Sequence, residues 1–354
     1  MRRTSIQTWS LPMALAAALC LCWTWSPEAR AERGKLRVVG TQSTFASIAA
    51  YVGGDRVTTD FIVRGDQDPH FVRPRPSLAQ KLSRAGLFVS TGLDLELWAP
   101  SLIDMSRNKE IRSGQRRYVS ASQGIRLLEV PRAKTRGEGG VHIYGNPHIQ
   151  TSPLNARIIA TNLATGLANV DPAGRAYYTE RYERFCAEID RRLYGEELLR
   201  LIGAKTLNRL AERPSRLMGF LQKRQYQGAP LGDRLGGWLG QGMVFRGEKA
   251  IGYHKNWAYF NELFGLEMRN YVEPRPSIPP SPRHVEDVIR QMREEEIEVI
   301  VAANYYDETR VRSVAKRVGA KAVIVPLGVG AEPGARDFFS LIDTIVTRIA
   351  DAYR

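Results

Sequence analysis

The sequence has few cysteines: Cys20, Cys22 and Cys186 are the three in 354 residues. So small a number excludes a disulfide-stapled scaffold. The sequence lacks the series of long hydrophobic runs that a multi-span membrane protein would have, and it contains no collagen or heptad repeat. Acids are outnumbered, with 37 Asp+Glu against 51 Lys+Arg, which gives a formal charge of +14. The remaining class is a globular protein with a sizeable hydrophobic core. Its excess of basic residues first suggests nucleic acid as a binding partner.

The first 31 residues have the three parts of a secretory signal peptide. Arg2 and Arg3 form the positive start, 11–23 is apolar, and Ala29-Arg30-Ala31 is an A-x-A cleavage site. Since a spanning helix needs roughly 20 apolar residues, removal is favoured over anchoring, although a lipid on an early cysteine stays open. Removal lowers the charge from +14 to +12 and leaves Cys186 alone. We therefore predict an exported protein without a nucleic acid partner, whose metal ligands would be nitrogen and oxygen.

Strands and helices alternate in two parts of the chain, beginning with strand 36–41, helix 43–52 and strand 57–63. A second alternating set starts at strand 250–254. This pattern predicts an α/β fold of two lobes, each a parallel sheet covered by helices. After Asp171-Pro172 the apolar residues recur with a helical period, which predicts a joining helix of about 25–30 residues. Two lobes braced by a stiff helix suit a cleft that opens little.

Composition shifts divide the chain further. The stretch 131–145 is polar and Gly-rich, which predicts a mobile loop. The stretch 197–248 fits neither lobe, and its glycines lack the Lys-Ser/Thr of a phosphate loop, so it is interpreted as an inserted surface excursion. The predicted divisions are a signal peptide at 1–31, an N-terminal lobe at 32–150, a linker helix region at 151–201, an insertion at 202–248 and a C-terminal lobe at 249–354.

The histidines carry most of the chemical information. There are five: His70, His142, His148, His254 and His284. Two follow an Asx-Pro pair, which holds the chain in a stiff turn, and His254 ends an apolar strand, where α/β proteins place ligand-binding groups. Imidazole suits Zn²⁺ and its neighbours, whereas Ca²⁺ and Mg²⁺ prefer oxygen. Three histidines at such positions are consistent with a metal site, but a single histidine is more often a surface or core residue, so both interpretations stay open on the pattern alone.

Four stretches of the sequence are distinctive in combination and in order: GDQDPHFVRPRPS (65–77), GNPHIQTSPLNARIIATNL (145–163), GYHKNWAYFNELFGLE (252–267) and EPRPSIPPSPRHVEDVI (273–289). Together they resemble the zinc- and manganese-binding solute receptors of bacterial ABC importers, and in particular a zinc-type branch. The resemblance covers nearly all of 35–354 except 197–248. It implies a two-lobed C-clamp fold with a long backbone helix and metal in the cleft between the lobes. It places the family's first two histidine ligands at His70 and His148 in the N-terminal lobe, and the third at His254.

The fourth ligand is where the sequence departs from the family pattern. Ala302 and Val325 stand where the family often has an acid. Water is the first expectation for the fourth position, and His142 the second. Weaker candidates are Asp307 and Glu308, because an acid at a helix start usually pairs with the helix dipole. His284 is expected to face solvent, and Asp68 to orient the ring of His70.

The resemblance implies an exported metal receptor that captures Zn²⁺, and less readily Mn²⁺, and delivers it to the membrane permease of an ABC importer. Absence of a carboxylate ligand favours Zn²⁺. A periplasmic or cell-envelope monomer without enzymatic activity is expected. Two alternatives remain: a His₃ zinc hydrolase or hydratase, against which stands the lack of a paired H-E-x-x-H motif, and a basic exported interaction protein with an incidental metal site.

Overall fold

The N-terminal lobe is built on a four-stranded parallel sheet in the computed structural model, which describes residues 34–131, 142–275 and 278–354. The strands lie in the order β2-β1-β3-β4. The predicted signal peptide and most of the predicted loop 131–145 lie outside the described residues. The elements are β1 (Leu36–Gln42), α1 (Ser43–Gly53), β2 (Val57–Val63), α2 (Pro76–Ser83), β3 (Leu87–Ser90), α3 (Ala99–Ser106) and β4 (Tyr118–Ser120).

Two long helices follow, α4 (Pro153–Val170) and α5 (Arg175–Tyr194). Between them the Asp171 carboxylate accepts hydrogen bonds from Arg56 Nε at 2.9 Å and the Tyr178 hydroxyl at 2.7 Å, which ties α5 to the N-terminal lobe. The predicted joining helix is present but shorter than expected. It has 20 residues and spans about 30 Å, because Gly195 takes a left-handed φ of +79° and ends it.

The insertion is helical and packs into the core, so the expectation of a surface excursion was wrong. Leu207 and Leu217 are fully buried. Trp238 is 1 % exposed, and its indole N–H donates to Asp343 at 2.6 Å. The amphipathic pattern of this stretch therefore marks an apolar face that the rest of the protein covers. Its elements are α6 (Glu196–Ile202), α7 (Ala204–Ala211), α8 (Pro214–Lys223), β5 (Gln225–Tyr226), β6 (Ala229–Pro230) and α9 (Gly237–Gly242).

The C-terminal lobe repeats the parallel four-stranded design, with strand order β10-β9-β7-β8. Its last helix begins at Phe338, because Asp337 and Ser340 form a reciprocal capping box there. The elements are β7 (Lys249–Gly252), α10 (Ala258–Phe264), β8 (Glu267–Tyr271), α11 (Pro282–Glu294), β9 (Val299–Ala303), α12 (Glu308–Val318), β10 (Lys321–Val325) and α13 (Phe338–Ala352).

One hydrophobic core runs beneath both sheets. It includes Phe45 of α1 and Ile342 of α13, while the outer face of each sheet has a smaller core of its own. The lobes also meet through backbone, since a Cβ on Gly65 would lie 2.4 Å from the carbonyl oxygen of Val329. The predicted fold class is confirmed: two parallel sheets covered by helices and joined by a long helix. Within the described ranges, no helix combines the length and apolar character needed to cross a bilayer.

Candidate metal centre

Four of the five histidines come together between the lobes. The ring centroid of His70 lies 5.2 Å from those of His142 and His148 and 5.6 Å from that of His254. His284 lies elsewhere. It is half-buried rather than solvent-facing, and its Nε2 is 2.9 Å from the backbone carbonyl of Tyr271.

The two Asx-Pro-His turns have the same local geometry. The backbone N–H of His70 donates to Asp68 Oδ1, and that of His148 donates to Asn146 Oδ1, each at 3.0 Å. The same Asp68 oxygen also lies 2.6 Å from Nδ1 of the His70 ring, so Asp68 orients this ring as predicted. Asn146 instead reaches across to the C-terminal lobe, where its amide donates to the Lys255 carbonyl at 2.7 Å.

His142 is held by a carboxylate that the sequence reasoning missed. Its Nδ1 lies 3.2 Å from Asp94 Oδ1, and its Nε2 lies 3.1 Å from His70 Nε2. Asp94 follows β3 by four residues, and its other oxygen accepts the N–H of Ile143 at 2.8 Å. The end of a parallel strand is the signal that could have found Asp94, because ligand sites gather at that edge of a sheet.

The C-terminal lobe contributes one histidine, His254, to the cluster. His254 lies two residues beyond β7 and is 1 % exposed. Its Nδ1 lies 2.8 Å from the Glu273 carbonyl oxygen, which requires a proton on Nδ1 and leaves the Nε2 lone pair free. That Nε2 is buried and has no hydrogen-bond partner.

His148 is fully buried at the contact between the lobes. Its Nε2 is 3.3 Å from the side-chain amide of Asn256, and its Nδ1 is buried without a partner. Asn256 also contacts the Tyr305 and Tyr306 hydroxyls, each at 3.3 Å. Sequence reasoning missed these three C-terminal residues, because a neutral amide and two tyrosines carry no motif for a metal site.

The environment keeps His148 and His254 neutral and the two carboxylates ionised. Burial, with a smaller electrostatic contribution from His70, lowers the pKa of His254 to about 4 and holds the pKa of His148 well below 6.5. Burial alone would raise the pKa of Asp68 and of Asp94, but the hydrogen bonds from His70 and His142 lower both. Neutral rings offer lone pairs to a cation, while the two anions behind them offset part of its charge.

The other acidic candidates lie elsewhere. Asp307 accepts from the backbone N–H groups of Thr309 and Arg310 as the cap of α12, and Glu308 pairs with Arg312. Ala302 and Val325 are fully buried and apolar. Among the described residues, the ligand atoms of His70, His142 and His148 all lie within 4.8 Å of one another, with His254 beside them. The candidate ligand atoms gathered here are therefore imidazole nitrogens.

A family model described as "Zinc-uptake complex component A periplasmic" matches residues 38–192 and 240–352. The chain belongs to this family. A manganese ABC transporter substrate-binding lipoprotein from Streptococcus anginosus is 27% identical over 178 residues, which are 49% of this chain and 54% of that protein. The chain thus spans about half the length of the curated relatives it matches.

Solved structures show the family fold. The crystal structure of ZnuA has a TM-score of 0.64 at 21% identity and covers 91% of this chain and 100% of that one. A Mn-bound periplasmic metal-binding protein from candidatus liberibacter asiaticus has a TM-score of 0.62 at 19% identity and covers 90% of this chain and 100% of that one. The resemblance noted in the sequence is confirmed, and the family consists of metal receptors rather than enzymes. This removes the support for a zinc hydrolase.

Proposed function

We propose that this chain is an exported receptor that captures Zn²⁺ between its lobes and delivers it to the membrane permease of an ABC importer. The observation that carries the proposal is the pair of buried, unpartnered nitrogens, His148 Nδ1 and His254 Nε2, within a cluster of four imidazoles. An unpaired buried polar atom costs free energy, and a cation supplies the missing partner.

The ligands we propose are His70, His142, His148 and His254. Four nitrogen donors suit the tetrahedral geometry of Zn²⁺ with its short bonds, while Mn²⁺ prefers oxygen. His142 takes the fourth position in place of water, because its Nε2 is 3.1 Å from His70 Nε2 and Asp94 holds its other nitrogen. The names of the relatives do not decide between the two metals, since the family is described as a zinc-uptake component and the relatives are called manganese transporter lipoproteins. The choice of Zn²⁺ therefore rests on the donor set.

The cellular setting rests on the family and on the sequence. The family description places its members in the periplasm, and the relatives are called lipoproteins, so we propose an envelope location. The same proposal includes four further parts: cleavage after residue 31, the predicted domain divisions, the monomeric state and the permease as partner. The alternative, a basic interaction protein with an incidental metal site, would be favoured if the wild-type chain had no affinity for metal.

The test is a titration of the metal-free protein with Zn²⁺ and with Mn²⁺. The variant combines His70→Ala, His148→Ala and His254→Ala, and His284→Ala is the matched control because it removes a histidine outside the cluster. We expect tighter binding of Zn²⁺ than of Mn²⁺, loss of both in the triple variant, and full affinity in the control. Equal or tighter Mn²⁺ binding would refute the metal assignment, and an unaffected triple variant would refute the site.

Delivery needs a cellular readout. In cells that lack their own zinc receptor and grow under chelation, the wild-type chain should restore zinc uptake through the permease, and the triple variant should not. Metal binding without restored uptake would leave the site intact and refute the transport role.

A further inference from the structure

Helices α7 and α8 carry an unusual density of positive charge. Between residues 198 and 232 the chain has seven Lys and Arg residues and one carboxylate, Glu212. The seven are Arg200, Lys205, Arg209, Arg213, Arg216, Lys223 and Arg224, and all are exposed. We call this surface the cationic helix pair.

These cations lack the partners that surface arginines have on other helices of the protein. Arg184, Arg290 and Arg312 each pair with a carboxylate three or four residues away on their own helix. In the described part of the chain, none of these seven cations takes part in a salt bridge or a side-chain hydrogen bond. The positive charge there is therefore uncompensated.

The packing of the two helices leaves these cations at the protein surface. α7 and α8 pack against each other, and both turn their apolar faces into the core through Leu207, Ala211, Leu217 and Leu221. Lys205 and Arg209 lie one turn apart on the opposite side of α7. The family model stops at residue 192 and resumes at 240, so this surface is an addition to the two lobes that the family shares.

We propose that the cationic helix pair binds anionic phospholipid headgroups. Uncompensated Lys and Arg spread over two helices suit a diffuse anionic surface, where each cation near the membrane strengthens binding about fivefold. Single-stranded nucleic acid requires exposed aromatic platforms. On these helices the aromatic residue is Phe220, which is part-buried against the core. The argument uses charge and exposure alone, and therefore stands independently of the metal site.

The experiment is flotation of the protein with phosphatidylcholine vesicles, with and without phosphatidylglycerol, at low and high salt. The test variant combines Lys205→Gln, Arg209→Gln, Arg213→Gln and Arg216→Gln. The matched control removes four exposed charges from other helices, with Arg184→Gln, Arg290→Gln, Arg312→Gln and Lys316→Gln. Circular dichroism and thermal unfolding of each variant report whether the fold is intact.

We expect binding that needs phosphatidylglycerol and weakens with salt, a loss of at least about twentyfold in the test variant and less than about fivefold in the control. Equal losses in both variants, or binding that ignores phosphatidylglycerol, would overturn the proposal. Tighter binding to a DNA oligonucleotide than to the vesicles would also overturn it, and would assign the surface to nucleic acid.

Discussion

The two lobes have the same architecture and different chemistry. In each, the first strand lies between the second and the third, and the fourth strand forms one edge. The N-terminal lobe contributes three imidazoles, two of which are held by ionised carboxylates, Asp68 and Asp94. The C-terminal lobe contributes one imidazole, His254, which is held by a backbone carbonyl. Equal folds therefore do not imply equal shares of the site.

The difference indicates which lobe determines affinity. The N-terminal lobe brings three candidate ligand atoms within 4.8 Å of one another, while the C-terminal lobe adds a single ring, His254, whose centroid lies 5.6 Å from that of His70. We infer that the N-terminal lobe supplies most of the binding free energy and that His254 completes the coordination. The four predictions below would break or sharpen this comparison.

The largest effect is expected from His148→Ala. Zinc sites of four ligands bind with about 10–16 kcal/mol, so one ligand contributes about 3–4 kcal/mol, a loss of several hundredfold. His254→Ala keeps all three imidazoles of the N-terminal lobe. The factor by which its Zn²⁺ affinity falls should therefore be about ten times smaller than the factor for His148→Ala. Competition with a chromophoric zinc chelator measures both. A larger loss in His254→Ala than in His148→Ala would reverse the assignment of the lobes.

Acid should destabilise the metal-free protein through the buried His254. Its pKa falls from 6.5 to about 4 on folding, so the unfolded state binds the extra proton between these values. The free energy of unfolding should therefore be unaffected above pH 6.5 and decrease by about 3 kcal/mol as the pH falls to 4. Urea denaturation at a series of pH values measures the slope. His254→Gln should reduce the slope without abolishing it, because burial also lowers the pKa of His148, and an unchanged slope in that variant would contradict the assignment.

The orienting carboxylates should have an intermediate effect. Asp68→Asn and Asp94→Asn remove the charge behind His70 and His142, and each should lower Zn²⁺ affinity about 10–100-fold. The control is Asp104→Asn, an exposed carboxylate that pairs with Arg112 on the surface. Isothermal titration of the three variants compares them directly. If Asp104→Asn lost as much as the other two, the effect would be one of net charge.

The smallest effect is expected at the exposed ion pair between the lobes, Arg126 with Glu262. The two side chains are 63% and 37% exposed, and a solvated pair of this kind contributes less than about 1 kcal/mol. Arg126→Gln should leave Zn²⁺ affinity unchanged and lower the free energy of unfolding only slightly, as denaturant titration would show. A large loss of affinity would mean that surface charge, and not the shared core, keeps the lobes in place.

Local patterns predicted most of the fold and part of the site. The alternation of strands and helices placed β2 at its observed bounds and β1 and α1 within one residue of theirs, because apolar period and turn residues are local signals. The same reasoning missed that α7 and α8 are part of the core, since the surface that covers them comes from distant segments. His70 and His148 were accessible because Asx-Pro-His is itself a local motif.

The partners of these rings were less accessible. Asp94 and His142 lie 48 positions apart in the chain, and only the folded lobe brings them together. Asn256 was missed for a different reason: its role depends on contact with His148 across the two lobes, 108 positions away. Spacing within one sequence carries no signal for such pairs.

We expect the core that both lobes share to make the whole protein unfold in one cooperative step. Unfolding one lobe would expose the inner face of the other, so we expect a single thermal transition rather than two. An ion held at the histidine cluster then stabilises the whole chain, by about 4 kcal/mol when the free ion exceeds its dissociation constant a thousandfold. The proposed ion, Zn²⁺, has a filled d shell and no colour. The melting temperature would therefore measure how much of the proposed site is occupied by an ion that absorbs no visible light.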